Sequence, residues 1–150
     1  MTSGFNRAQT PWVDEATGAI MTSTEILVYP ASLSRLEQTE VEGKFLRLSW
    51  RHRSYLVFAA FERYRYHNQI LARFAEDHGL SYRWIDACTL EVDSRELQVH
   101  GGGRFRLDPR QQRLDLWDNS QLYGRFEEAG LAEALAGAAH PWCRLRIRVS

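Results

Sequence analysis

The sequence predicts an α/β protein of the α+β kind: a single domain on a mixed, mainly antiparallel sheet of about six strands carrying two helices. Three observations lead there. Short apolar runs with a period of two recur along the chain. Two stretches, 66–78 and 125–138, switch to a helical period. Most connections are too short for the crossovers that parallel strands need.

In chain order, residues 1–22 are rich in Thr, Ser, Gly and Ala and read as a flexible N-terminal arm, with the domain proper over 23–150. Ile26 to Tyr29 is β-branched and aromatic and is stopped by Pro30, as in an edge strand. Ser32 to Glu42 fits a short helix or a loop equally well. From Lys44 to Trp50, Leu46, Leu48 and Trp50 alternate with Arg47 and Ser49, which predicts a half-buried strand. Arg51, His52 and Arg53 make a polar turn. Tyr55 to Phe61 is almost wholly apolar, as a strand covered on both faces should be.

Tyr66, Ile70, Leu71, Phe74 and Ala75 then recur at helical spacing, and Gly79 supplies a stop. Tyr82–Ile85 and Thr89–Val92 read as strands. Leu97 and Val99 lead into Gly101-Gly102-Gly103, which reads as a turn. Arg104 to Leu107 and Leu114 to Trp117 form a hairpin through Asp108-Pro109, a type I turn pair. The second helix has Glu127 and Glu128 in its first turn, where acids suit the dipole, and a stripe of Leu131, Ala134, Leu135 and Ala138. Pro141 ends it, and Cys143 to Val149 closes the chain as a strand.

The 150 residues are ordinary in composition, with 44% hydrophobic and 25% charged, and the net charge is zero. No global field favours nucleic acid or membrane. Cys88 and Cys143 are isolated, which argues against a zinc site and a disulfide scaffold. No run approaches the roughly 20 apolar residues of a membrane helix. Reducing, cytoplasmic surroundings are expected.

Three places could carry chemistry. His67 follows Tyr66 at the start of the first helix, near the positive end of its dipole. That position favours the neutral imidazole a general base requires, beside N–H groups that can hold an anion. Arg104 leaves the triple glycine with a planar fork of donors suited to phosphate oxygens. It is not a nucleotide-binding P-loop, because no Gly-Lys-Ser/Thr and no helix follow. The loop Asp118-Asn119-Ser120-Gln121-Leu122-Tyr123-Gly124 offers the Ser120 hydroxyl and nearby backbone donors.

Taken together, Tyr66-His67, Gly101-Gly102-Gly103-Arg104 and Leu114-x-Leu-Trp-x-x-Ser120-x-x-Tyr123-Gly124 resemble, in order and in kind, the phosphohistidine phosphatase (Janus/Ocnus) family. The resemblance covers residues 41–149. It implies that His67 is catalytic and that Arg104 binds phosphate. It also implies that Ser120 contacts phosphate, with Gly103 and the backbone near Asn68 and Leu122 completing the pocket. Proteins of this kind cleave the P–N bond of phosphohistidine with no metal or other cofactor, so a phosphorylated protein or a small phosphoramidate is the implied partner. The sequence departs from the pattern in places. A pocket lysine of the family falls on Ser54, where neighbouring Arg53 would have to replace its charge although alternation points it to the opposite face. The stretch between the first helix and the glycines is longer than in the family. Asp118-Asn119 is more acidic than the family loop.

Phosphoramidate hydrolysis leads, with His67 as base or as a nucleophile that becomes phosphorylated. A catalytically inactive phosphate- or phosphoprotein-binding module of the same fold is the alternative, favoured by the absent lysine. Nucleic-acid binding through Arg104, Arg106, Arg113 and the Arg144, Arg146, Arg148 row, with Trp117 for stacking, is disfavoured by zero net charge.

Overall fold

The computed structural model describes residues 12–13, 20–21, 23–37 and 39–150. In chain order the strands are β1 (Trp12–Val13), β2 (Ile20–Met21), β3 (Thr24–Tyr29), β4 (Val41–Trp50), β5 (Arg53–Ala60), β6 (Tyr82–Trp84), β7 (Leu90–Val92), β8 (Leu97–Asp108), β9 (Arg113–Trp117) and β10 (Arg146–Val149). Helix α1 (His67–Asp77) lies between β5 and β6, and α2 (Leu131–Ala136) between β9 and β10. Six strands form one mixed sheet in the order β10-β9-β8-β4-β5-β3. Its inner ladders are antiparallel, as expected. The outer pairs, β3 with β5 and β10 with β9, are parallel; β9 reaches β10 through a crossover that carries α2. β1 pairs with β2, and β6 with β7, in separate two-stranded ladders. The rest of the arm expected over 1–22 lies outside the described residues.

Alternation along β4 and β5 sends side chains into two cores. Phe45, Leu56 and Phe58 join Phe105, Phe126 and Trp142 on the face shared with α2. Leu46, Leu48, Tyr55 and Val57 join Ile70, Leu71 and Phe74 of α1 on the other. Fully burying each large apolar side chain of α1 stabilises by about 1.5–3 kcal/mol before entropy is counted. The helix stops at Gly79 (φ +71°), as expected, with Leu80 N–H bonded to Ala75 O at 2.8 Å.

Several expectations need correction. β4 is covered on both faces, so even Arg47 is fully buried. Its guanidinium stays solvated by protein, with Nη1 donating to Glu127 O at 2.6 Å and Ala129 O at 2.8 Å. The triple glycine is no turn but lies inside the 12-residue strand β8. The second helix is only Leu131–Ala136, preceded by Gly130 at φ +68°. Residues 124–127 bond instead to β8: Gly102 N–H to Gly124 O at 3.0 Å, Phe126 N–H to Gly102 O at 3.1 Å, and Glu127 N–H to His100 O at 3.0 Å. Glu127 and Glu128 therefore precede the helix, and Glu133 occupies its first turn. Pro141 opens a 3₁₀ turn, Pro141–Arg144, so the last strand starts at Arg146.

Candidate functional site

The glycines permit two close approaches that any side chain would block. A Cβ on Gly102 would lie 2.5 Å from Phe45 O and 2.7 Å from His67 Cδ2. A Cβ on Gly103, facing the other way, would lie 2.5 Å from Trp117 O and 2.8 Å from the Phe126 ring. Just before them the register of β8 against β4 slips between the pairs Gly102–Leu46 and Val99–Leu48. His100 and Gly101 thus oppose Arg47 as a bulge, and Gly101 takes φ +92°.

His67 occupies the space above Gly102. It is 5% exposed, and its Nε2 donates to Gly103 O at 2.9 Å. A carbonyl can only accept, so Nε2 carries the proton and the neutral ring keeps its lone pair on Nδ1. Cδ2 and Nε2 are the ring atoms nearest Gly102, and Nδ1 is the vertex opposite them. Burial lowers the His67 pKa from 6.5 to about 4. The Gly103 hydrogen bond opposes that shift, Lys44 adds to it, and Asp118 and the Phe45 backbone oppose it. The neutral ring expected at the helix start is therefore present, with burial as its first cause.

Beside the ring is a cleft of about 730 Å³, lined among others by Lys44, His67, Asn68, Arg104, Ser120 and Leu122. The sheet register explains the cations. Lys44 is paired with Arg104, and Arg104 with Trp117, so all three share one face with Gly102. The Arg104 guanidinium stands 5.1 Å from the Phe61 ring centre and 5.6 Å from that of Trp117, while Lys44 Nζ lies 5.6 Å from that of Tyr66. Glu42 reaches Arg104 only at 4.0 Å, and Arg104 Nε has no hydrogen-bond partner among the described residues. Burial, then repulsion from Arg104, lowers the Lys44 pKa, while Asp118 raises it.

The loop after β9 forms a further part of the cleft wall. Ser120 is 3% exposed; its Oγ accepts from Tyr123 N–H at 3.1 Å, and its hydroxyl proton remains available. Ser120 and Gly124 exchange backbone hydrogen bonds of 3.1 and 2.8 Å, which fixes the loop. At the helix start, Gln69 Oε1 accepts from the N–H groups of Arg65 (2.8 Å) and Tyr66 (3.1 Å). The His67 and Asn68 N–H groups have no carbonyl partner one turn back within the helix. The Asn68 side chain is spoken for, donating to Cys88 O at 2.8 Å and so tying the β6–β7 connection to the cleft rim.

Of the residues singled out in the sequence, His67, Asn68, Arg104, Ser120 and Leu122 line one cleft, and Gly103 enters through its carbonyl. Arg53 does not: it is exposed at the start of β5, opposite Trp50. Ser54 is 1% exposed, and its Oγ accepts from Thr24 Oγ1 at 3.1 Å. Lys44, which was not singled out as a site residue in the sequence, also lines the cleft. Its signal was available in the sequence, as Lys44 is the sole lysine among 19 Lys and Arg. Reading the glycines as a turn hid its pairing with Arg104. In the arginine rows, Arg106 pairs with Glu40 and Glu42 at 3.2 Å each and Arg113 with Asp115 at 3.3 Å. Among the described residues no helix is long and apolar enough to cross a membrane, and no group of three or more His, Cys, Asp or Glu could hold a metal ion. The chain matches no known family model and no curated protein.

Proposed function

We propose that this cleft binds a phosphoryl group and hydrolyses a phosphoramidate, with protein phosphohistidine as the substrate, without a metal. The observation that carries the reading is the meeting of Lys44, Arg104, Ser120 and the first turn of α1 around one neutral histidine. The resemblance of the motif order to phosphohistidine phosphatases supports it.

In the reaction, Arg104 and Lys44 take the charge of the phosphoryl oxygens, and the Ser120 hydroxyl and the Asn68 and Leu122 amides orient them. Phosphoryl transfer depends chiefly on such positioning and charge stabilisation. A water oxygen attacks phosphorus and passes its proton to Nδ1 of His67. The P–O bond forms as the P–N bond breaks, and the departing nitrogen keeps the bonding pair and takes up a proton. Gly103 O holds the ring in the tautomer that leaves Nδ1 free. Although a base of pKa about 4 is weak, the bound phosphoryl dianion raises that value while the substrate is present.

Lys44 gives the cleft a second cation, which supports the catalytic reading over a binding-only module of the same fold. Both cysteines are free thiols, in keeping with a cytosolic protein. The test is hydrolysis of a phosphohistidine peptide by the wild type beside His67→Ala and Arg104→Ala. The His variant should lose about 10²–10⁴-fold in rate while still binding inorganic phosphate. The Arg variant should bind phosphate more weakly. Equal rates in wild type and His67→Ala refute the reading.

A further inference from the structure

Resting on the reading of the cleft as a phosphate site, we propose that Asp118 makes it select zwitterionic phosphoramidates, in which a positively charged nitrogen adjoins the phosphoryl group. Asp118 is the first residue beyond β9 and lines the cleft together with Lys44 and Arg104. Its backbone takes φ +71°, a region that Asp and Asn enter more readily than other non-glycine residues. The turn is held by Arg125 Nη1, which donates to Asp118 O at 3.1 Å, and by Asn119 N–H, which donates to Oδ1 at 2.9 Å. Oδ2 has no hydrogen bond or ion pair among the described residues, although two cations share the cleft. The carboxylate is close enough for its charge to favour the protonated forms of both Lys44 and His67.

A carboxylate in this place repels a bare phosphate dianion. Its cost turns into a contact when the ligand brings its own cation. Lys44 and Arg104 against Asp118 leave the cleft wall with one net positive charge, which complements a zwitterion of net charge minus one better than a dianion. Discrimination then comes from repulsion of the wrong ligand as well as attraction of the right one. After P–N cleavage the freed phosphate has lost its cation and is pushed out by the same carboxylate.

Two non-hydrolysable ligands of similar size test this without relying on turnover: aminomethylphosphonate, which carries an ammonium group, and methylphosphonate, which does not. Titrations under mildly alkaline conditions, where both phosphonates are dianionic, should show the wild type binding the amino compound about fivefold more tightly. Asp118→Asn keeps the backbone conformation available. It should lose the preference for the amino compound or reverse it, and bind methylphosphonate more tightly than the wild type does. No preference in the wild type, or a preference that survives in Asp118→Asn, overturns the proposal. Binding with the predicted preference but no hydrolysis of phosphohistidine defeats the catalytic reading alone. Failure to bind either phosphonate defeats both.

Discussion

The two faces of the glycine segment of β8 use the same missing side chain for opposite ends. On the face of α2, Gly101 and Gly103 let residues 124–127 and the Phe126 ring press onto the strand, and the result is a dry core with Phe45, Phe58, Phe105 and Trp142. On the face of α1, Gly102 admits an imidazole, and the result is a titratable group at the wall of a polar cleft. Close approach on one side builds stability. On the other it buries an imidazole, which keeps the ring neutral, while Gly103 O sets its tautomer. Alternation along a single strand is enough to separate the two tasks.

That contrast can be broken from either side. Trp142→Ala, deep in the dry core, should cost about 3–5 kcal/mol in urea unfolding. The folded fraction should keep its affinity for inorganic phosphate. Gly102→Ala should cost about 3 kcal/mol, at the upper end for overpacking, because its Cβ meets Phe45 O and the His67 ring. Unlike Trp142→Ala, it should also abolish hydrolysis in protein that is still folded, since His67 must move.

The buried His67 imidazole also gives the face of α1 a pH dependence. Folding lowers its pKa from 6.5 to about 4, so between these values the unfolded chain holds the extra proton. The contribution of the neutral ring is full above pH 6.5 and is lost as pH falls toward 4. The loss amounts to about 3 kcal/mol. Unfolding curves across that range should show this slope in the wild type and its absence in His67→Gln. The smallest effect belongs to Lys44→Ala. It should weaken phosphate binding about tenfold, as for loss of one charge-assisted contact. Stability should change by less than about 1 kcal/mol, as at a partly exposed surface site.

Much of the frame was legible because period two and period 3.6 are local signals. α1 and the hairpin of β8 and β9 follow directly from the spacing of Ile70, Leu71 and Phe74 and of Phe105, Leu107, Leu114 and Leu116. Gly101-Gly102-Gly103 misled because glycine's freedom at a turn and its lack of bulk inside a crowded strand give the same letters. The segment 124–130 misled because Glu127 and Glu128 suit a first helical turn, whereas its backbone pairs with β8 and the helix begins only after Gly130. The parallel outer strands also escaped, because their partners are set by the whole sheet. In the cleft, His67, Arg104 and Ser120 stood out by motif. Lys44 did not, because its role depends on a cross-strand register that no local pattern records.

His67 donates from Nε2 to Gly103 O, and the proposed reaction requires its Nδ1 lone pair to face bound phosphate. Nitrogen-15 NMR of the imidazole at neutral pH reads both atoms directly. The predicted result is a protonated Nε2 and an unprotonated Nδ1 whose resonance moves as inorganic phosphate is added, together with a rise in the ring's pKa. A proton on Nδ1 in the free protein, or an Nδ1 signal unmoved at saturating phosphate, would contradict it.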